Sequence, residues 1–206
     1  MRTHRLVPVL VAAILIAGSS TVAAETPLGT FRAFIDYAIP TADTTSTLFG
    51  EQVRVEAEST FGLGLFYELR GDRFGIELGV MFQEYDFKIR GTEGSSMDAK
   101  LGKARVTPLV VGLDIHMLRP SAKADLYFAP LLTYNIWEDF KHTGGGTTGL
   151  ENEWGVGAVL GIDVPFGSAG WQFNGALRYL KMQADDKVDA IDIHPLYIEA
   201  GVGYRF

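Results

Sequence analysis

Alternation of apolar and polar residues with a period of two recurs eight times along this chain, and it limits the fold more than any other feature of the sequence. In "WGVGAVLGIDVPF" (154–166), Trp154 and every second residue after it are apolar, and three glycines and Asp163 lie between them. Successive side chains of a β-strand point to opposite faces, so this pattern predicts a strand with one apolar face. The other stretches with this pattern are 30–39, 60–69, 74–82, 108–117, 125–136, 171–179 and 195–206. Each has roughly the ten residues that a tilted strand needs to cross a bilayer.

The connections between these stretches alternate in length. Short connections lie at 70–73, 118–124 and 167–170. Longer polar connections lie at 40–58, 84–104, 137–153 and 180–194. Short turns on one side and long loops on the other are typical of outer-membrane barrels. The sequence therefore predicts an all-β fold, an eight-stranded antiparallel transmembrane β-barrel of the up-and-down type, with short periplasmic turns and long extracellular loops.

A soluble eight-stranded barrel would also alternate, with its apolar face turned inward. The polar face decides between the two, because it carries ten glycines, isolated charges of both signs and no lysine. A water-facing exterior would use Lys, Thr and Ser freely, whereas a narrow lumen needs small residues and paired charges. Aromatic residues gather at both ends of the stretches, like the two girdles of a membrane barrel. We therefore expect the apolar face to contact lipid, and a small change inside, such as Gly161→Ser, to be tolerated.

Residues 1–24 predict a secretory signal peptide. Arg2 and Arg5 precede an apolar run from Leu6 to Ala17, and small residues form a cleavage site at its end. The run is shorter than the about 20 residues of a spanning helix. Residues 25–206 are then one outer-membrane β-barrel domain, without a cysteine for a lipid anchor or a disulfide. The formal net charge of −7 argues against a nucleic-acid partner.

The chain stops on "AGVGYRF", inside the last alternating stretch. Val202, Tyr204 and Phe206 share the phase of the apolar face up to the final residue. A terminal aromatic residue after such alternation resembles the C-terminal insertion signal of bacterial outer-membrane barrels. That resemblance implies recognition by the barrel-assembly machinery of a Gram-negative cell envelope.

Nine charged residues on the polar face are expected to meet in the lumen as one charge network. They are Arg32, Asp36, Glu68, Glu77, Asp114, Asp163, Arg178, Glu199 and Arg205. An eight-stranded barrel is just wide enough for side chains to fill, and buried charges persist only when they are partnered. The network is therefore predicted to plug the barrel, with a charge-lined conduit as the alternative.

Pro130 is unusual because it lies in the apolar phase of the fifth stretch. Proline cannot donate to a strand ladder, and a closed barrel offers no edge to accommodate it. The short connection at 118–124 places Pro130 near Gly112 and Leu113 of the fourth stretch. The strand must be bulged or locally open there, and an open wall would be a lateral exit for an apolar solute.

The sequence favours a protein that is not an enzyme. His116 lies near Asp114 on the same face, but no strand serine can be placed beside it as a nucleophile. His142 and His194 lie in or next to the long connections. Three separated histidines also lack the spacing of metal ligands, so neither a metal nor a cofactor is expected.

Five stretches resemble the OmpW-like family of small outer-membrane proteins. They are "VTPLVVGLDIHM" (106–117), "DLYFAPLLTYNI" (125–136), "WGVGAVLGIDVPF" (154–166), "WQFNGALRYL" (171–180) and "DIHPLYIEAGVGYRF" (192–206). The resemblance implies a narrow, porin-like barrel for transport, with a largely hydrophobic passage for small apolar solutes. The family commonly has an acidic residue at the position of Ala176. Alanine there would leave Arg178 without one expected partner.

The leading hypothesis is a narrow passive conduit for small apolar solutes across the outer membrane. The alternative is a plugged structural or adhesive barrel whose extracellular loops bind a partner. A lipid-modifying enzyme of the outer membrane is a third hypothesis and has the least support. The expected partners are outer-membrane lipid, the barrel-assembly machinery and small apolar solutes.

Overall fold

The structure is a computed structural model that describes residues 28–48, 51–91, 98–118, 123–167, 169–185 and 190–206. These ranges contain the strands β1 (Leu28–Pro40), β2 (Thr44–Leu48), β3 (Glu51–Ala57), β4 (Thr60–Arg70), β5 (Phe74–Gly91), β6 (Asp98–His116), β7 (Asp125–Trp137), β8 (Phe140–His142), β9 (Thr147–Thr148), β10 (Glu153–Pro165), β11 (Trp171–Lys181), β12 (Gln183–Asp185), β13 (Ala190–Asp192) and β14 (Pro195–Arg205). Within them there is no helix long and apolar enough to cross a membrane. The predicted signal peptide, residues 1–24, lies outside the described residues.

Eight strands close into an antiparallel ring. The order around the ring is β1, β4, β5, β6, β7, β10, β11 and β14, and β14 pairs again with β1. Each ring strand neighbours the next ring strand along the chain, which is up-and-down topology. Ring closure pairs the backbone without leaving an edge, as a bilayer requires. The predicted eight-stranded barrel is confirmed.

The apolar phase of every ring strand points outward. Ile35, Leu63 and Leu160 are 62%, 55% and 49% exposed, whereas their neighbours in the other phase are mostly buried. Aromatic ring pairs lie at the long-loop end (Tyr37–Phe61 and Tyr134–Trp154) and at the short-turn end (Phe166–Phe173 and Trp171–Tyr204). Outward apolar side chains between two aromatic bands form the surface of a membrane barrel.

The long connection predicted at 84–104 is wrong in part, because most of it is strand. β5 and β6 stay paired as far as Arg90 and Asp98, with a register shift after Phe87. β3 pairs with the same part of β5, and β8 pairs with β6. The alternation continues there, but its outward side chains are charged, for example Glu84 and Lys88, which made the segment read as a loop. The long-loop end is therefore a sheet that extends the barrel wall beyond the aromatic band.

Glycines inside the barrel make room for large side chains of neighbouring strands. A Cβ on Gly161 would overlap the ring of Tyr127, and a Cβ on Gly79 would overlap the ring of Phe66. The lumen is filled by these rings, so the close approach needs glycine. The expectation that Gly161→Ser is tolerated is therefore wrong.

Phe206 completes the pairing between β14 and β1 at the short-turn end of the barrel. Its N–H donates to the carbonyl of Gly29 at 2.9 Å, and its carbonyl accepts from the N–H of Gly29 at 3.2 Å. Its ring is 62% exposed and stacks on Tyr67, with the ring centroids 6.2 Å apart. These contacts end the ladder but bury little apolar surface.

Deleting Phe206 should sharply lower the amount of barrel inserted in cells, while refolding of the purified variant into detergent changes little. Refolding should change little because the deletion removes few contacts. Insertion in cells should fall because the deletion removes the final aromatic residue of the predicted insertion signal. Heat-modifiable migration on a gel measures both yields. Phe74→Ala is the control, because Phe74 is an equally exposed ring at the same end of the barrel. Equal losses in cells for the two variants would show that Phe206 acts as an ordinary girdle residue.

Candidate functional site in the barrel lumen

Arg32 of β1 lies at the centre of the buried charge network. Its guanidinium donates to Glu68 at 2.5 Å and to Asp163 at 2.7 Å, both through Nη2. Nη1 donates to Glu77 at 3.3 Å and lies 4.0 Å from Asp114. Arg32 is fully buried, so its charge depends on these carboxylates for compensation.

Arg178 of β11 forms the second centre. Its Nε donates to Glu199 at 2.7 Å, and Nη1 donates to Glu77 at 3.2 Å. Its guanidinium also lies 4.2 Å from the ring centroid of Phe66. Arg178 is thus paired without an acidic residue at position 176, by Glu199 of the neighbouring β14 and by Glu77 of β5 on the opposite side of the ring. Because Glu77 contacts both Arg178 and Arg32, the two centres form one network.

The network continues toward the short-turn end through residues that the sequence interpretation left out. Arg70 pairs with Asp125 and donates to the carbonyl of Leu118 at 2.8 Å. The ring of His116 lies between Asp125, at 2.8 Å from Nδ1, and Glu68, at 2.6 Å from Nε2. Arg70 and Asp125 lie in the inward phase at the ends of their strands. Extending the alternation by one step past the quoted stretches would have identified Arg70.

Two predicted members lie away from the arginine centres. Asp36 accepts a hydrogen bond from Gln83 at 2.6 Å, above the arginine layers. Arg205 is half-buried at the short-turn end of β14, beside Phe206. The remaining seven predicted residues are brought together in the two centres around Arg32 and Arg178.

The network fills the cross-section of the barrel. Arg32, Glu77, Asp114, Asp163 and Arg178 each have 0% of their surface exposed. Side chains lining an open aqueous bore would be wetted, and these are not. The described side chains therefore close the lumen at this level, and we call this layer the plug.

Toward the long-loop end the lumen becomes mainly apolar, although Asp36, Gln83, Thr133 and Asn135 are also buried there. The hydroxyls of Tyr85 and Tyr197 meet at 3.1 Å above the plug. Buried apolar side chains surround and extend this level, including Met81, Phe87, Val106, Val110, Trp137, Phe140, Leu180, Met182 and Ile193. We call this region the apolar upper lumen.

Two pairings of the β6–β7 ladder are missing beside Pro130, and we call this break in the backbone hydrogen bonding the opening. Gly112 pairs with Leu131 above the opening, but Leu113 and Asp114 have no partner on β7 in the described ladder. The register is the same above and below, so the interruption is not a bulge. The missing proline N–H faces β6, since the pairing of β7 with β10 is unbroken.

A second opening, which the sequence interpretation missed, lies beside Pro108. Met81 and Phe82 of β5 have no partner on β6 in the described ladder, and the register does not shift there. Pro108 is buried and points inward, whereas the predicted weak point, Pro130, lies on the apolar face. Any proline within a stretch removes a donor, so the signal was present in "VTPLVV" (106–111). β6 thus lacks two backbone pairings on each side.

The chain belongs to the family described as the outer membrane protein beta-barrel domain, whose model matches residues 9–206. The protein is therefore an outer-membrane β-barrel, its short-turn end periplasmic and its long-loop end extracellular. No curated protein matches the sequence.

Solved structures with a similar fold include outer-membrane proteins. OprG from Pseudomonas aeruginosa superposes with a TM-score of 0.75 at 19% identity, covering 88% of this chain and 96% of OprG. Neisserial surface protein A gives 0.56 at 13% identity, covering 86% and 97% of the two chains. Outer membrane protein W from E. coli gives 0.53 at 20% identity, covering 88% and 99%. The OmpW-like resemblance is confirmed at the level of the fold.

Proposed function

We propose that this protein is a narrow passive conduit that admits small apolar solutes from outside and releases them sideways into the outer membrane. The observation that carries the proposal is the position of the opening beside Pro130. It lies where the apolar upper lumen meets the plug, so a solute stopped by the plug would face it. The inward side chains at that level include Gly112, Ala129 and Leu131, which are small or apolar.

The plug would determine the path of the solute, because it blocks passage straight through the barrel. Charged groups in the plug disfavour entry of an apolar solute, whereas flexible side chains such as Met81 and Met182 can move aside in the upper lumen. No catalytic step is proposed. Both ring nitrogens of His116 are engaged by carboxylates, which leaves neither to activate a hydroxyl.

Pro130→Val should abolish solute uptake, because valine restores an N–H to the ladder and favours strand structure. The assay measures entry of a small apolar fluorophore into vesicles whose outer leaflet contains lipopolysaccharide, since phospholipid alone passes such solutes. Leu132→Val, on the same face of the same strand, is the control and should behave as the wild type. Pro108→Val tests the second opening in the same way.

Each outcome identifies a route. Unchanged uptake in both proline variants would reject the lateral exit. Loss in Pro108→Val alone would move the exit to the β5–β6 side of the wall. If the wild type does not speed uptake at all, the plugged barrel with binding loops replaces the conduit.

One observation favours that second candidate function. The extracellular sheet carries an ordered set of ion pairs on its outer face. Lys103 and Arg105 donate to Glu84 at 2.8 Å and 2.5 Å and hold the pKa of that carboxyl below its ordinary value. Lys100 pairs with Asp86 at 2.9 Å. A charged, ordered sheet of this kind is a surface on which a partner outside the cell could dock.

A further inference from the structure

We propose that the periplasmic side of the plug binds one divalent transition-metal ion between Glu68, Asp114 and His116. Glu68 lies on β4, and the other two lie two residues apart on the inward face of β6. One ligand atom from each residue lies within 4.8 Å of the other two, and all three side chains are at least 98% buried. An imidazole nitrogen with two carboxylate oxygens is a donor set for ions such as Zn²⁺ and Mn²⁺.

Asp114 is the observation that points to a ligand. It is 0% exposed, and neither of its carboxylate oxygens has a hydrogen-bond partner. The closest cationic atom is Nη1 of Arg32, at 4.0 Å. An ionised Asp114 lacks sufficient compensation, and a protonated one would still leave both oxygens without partners. A bound cation satisfies the group in a way that neither form does alone.

The charge balance of the lumen agrees with a bound cation. Among the buried side chains of the described residues there are seven carboxylates and three arginines. Protonation of His116 would add one positive charge and still leave acids in excess. A divalent ion between Glu68 and Asp114 places positive charge beside Asp114, because Arg32 is already shared by Glu68, Glu77 and Asp163.

His116 is oriented for ligation. Its Nδ1 lies 2.8 Å from Asp125, which in turn pairs with Arg70. Without an ion, Nε2 is hydrogen-bonded to Oε1 of Glu68 at 2.6 Å. Loss of the proton from Nε2, with Nδ1–H kept on Asp125, gives the lone pair that binds the ion. A carboxylate behind a histidine in this way is the usual support of a metal ligand. Glu68 keeps its other oxygen, Oε2, for Arg32 at 2.5 Å.

Loading the ion requires the three ligand side chains to shift. Ligand atoms about 2.0–2.2 Å from a tetrahedral Zn²⁺ lie roughly 3.4 Å apart, so the widest pair must close by as much as about 1.4 Å. Nε2 of His116 and Oε1 of Glu68, now 2.6 Å apart, must separate to admit the ion. A hard ion such as Ca²⁺ prefers six to eight oxygens and does not suit a site with an imidazole. The ion would have a structural role, joining β4 to β6 at the base of the plug.

The test uses tag-free full-length mature protein refolded in detergent with Zn²⁺ or Co²⁺ and then washed with a chelator. We expect one ion per chain by elemental analysis, and ligand-field absorption from bound Co²⁺. Asp114→Asn and His116→Gln should lose the ion, and Asp125→Asn should bind it roughly 10- to 100-fold more weakly.

Asp36→Asn is the matched control, since Asp36 is also buried with a partnerless oxygen but lies away from the site. Heat-modifiable migration confirms that each variant is folded, and His116→Gln carries the comparison if Asp114→Asn does not fold.

Stability provides a second readout. Zn²⁺ should raise the unfolding temperature of the wild type and leave that of Asp114→Asn unchanged, and without metal the variant should be at least as stable as the wild type. The proposal is overturned if the wild type keeps no ion, if Asp114→Asn keeps it, or if Asp36→Asn loses it equally. It is also overturned if metal-free Asp114→Asn is much less stable than the wild type, because Arg32 alone would then satisfy that carboxylate.

Discussion

Replacing Leu160 by arginine should prevent assembly of the barrel. Leu160 points outward near the middle of β10, 49% exposed, and pairs with Phe128 and Leu177 of the neighbouring strands. An arginine near the bilayer midplane costs about 2–4 kcal/mol. Among the described residues, the outward neighbours of Leu160 on β7, β10 and β11 are uncharged. The folded fraction in lipid, measured by heat-modifiable migration, should fall to a small part of the wild-type value.

Two control variants test whether assembly fails because of a charge on the outward face or because of any substitution in this part of β10. Leu160→Val keeps the position apolar and should assemble normally. Val159→Thr introduces a hydroxyl at the adjacent inward position, which is 1% exposed and pairs with Arg178, and it should also assemble. Normal assembly of Leu160→Arg together with failure of Val159→Thr would mean that the two faces are assigned the wrong way round.

Replacing Arg32 by methionine should cost about 3–5 kcal/mol of folding free energy, the largest stability loss expected of a single lumen change. Methionine keeps the length of the side chain but leaves Glu68, Glu77 and Asp163 without the charge that they share. Guanidinium unfolding in lipid vesicles at neutral pH, followed by tryptophan fluorescence, measures the difference. The loss should shrink at low pH, where protonated carboxylates no longer need a cation.

Arg54→Met is the control for this prediction. Arg54 is also paired with a carboxylate, Asp43 at 3.5 Å, but it is about half exposed. An exposed pair contributes about 0–1 kcal/mol, so the two substitutions should differ severalfold. Similar small losses for both would mean that water reaches Arg32 and that the plug is not closed.

The barrel could be predicted from the sequence because its signal is repeated. Each transmembrane strand has about ten residues of strict alternation, and a lipid-facing side chain cannot be charged without a large cost. Beyond the aromatic band that constraint ends. Glu84 and Lys88 then occupy outward positions of the same strand, and the pattern looks like a polar loop although Phe87 still points inward. Hydrogen bonding to β3 and β6, which no local pattern encodes, keeps the segment extended.

The charge network could be predicted only as a set of inward residues. Which carboxylate meets which arginine depends on the register between strands far apart in sequence, such as the contact of Arg32 with Asp163. The same dependence hid the cluster around Asp114, where Glu68 comes from another strand and Asp125 supports His116 from a third. Gly161 is a different kind of error. Its small size suggested that a larger residue would be tolerated there, but the ring of Tyr127 occupies the adjacent space.

Steady ion conductance in planar lipid bilayers tests the central claim most directly, which is that the buried charge network closes the lumen to water and ions. A porin reconstituted in the same bilayer provides the reference current, and heat-modifiable migration of the recovered protein confirms that it is folded. Because Arg32, Arg178 and their carboxylates fill the eight-stranded interior without exposed surface, we expect little or no steady current from the wild type. A large, steady, porin-like current from the folded wild type would contradict the account.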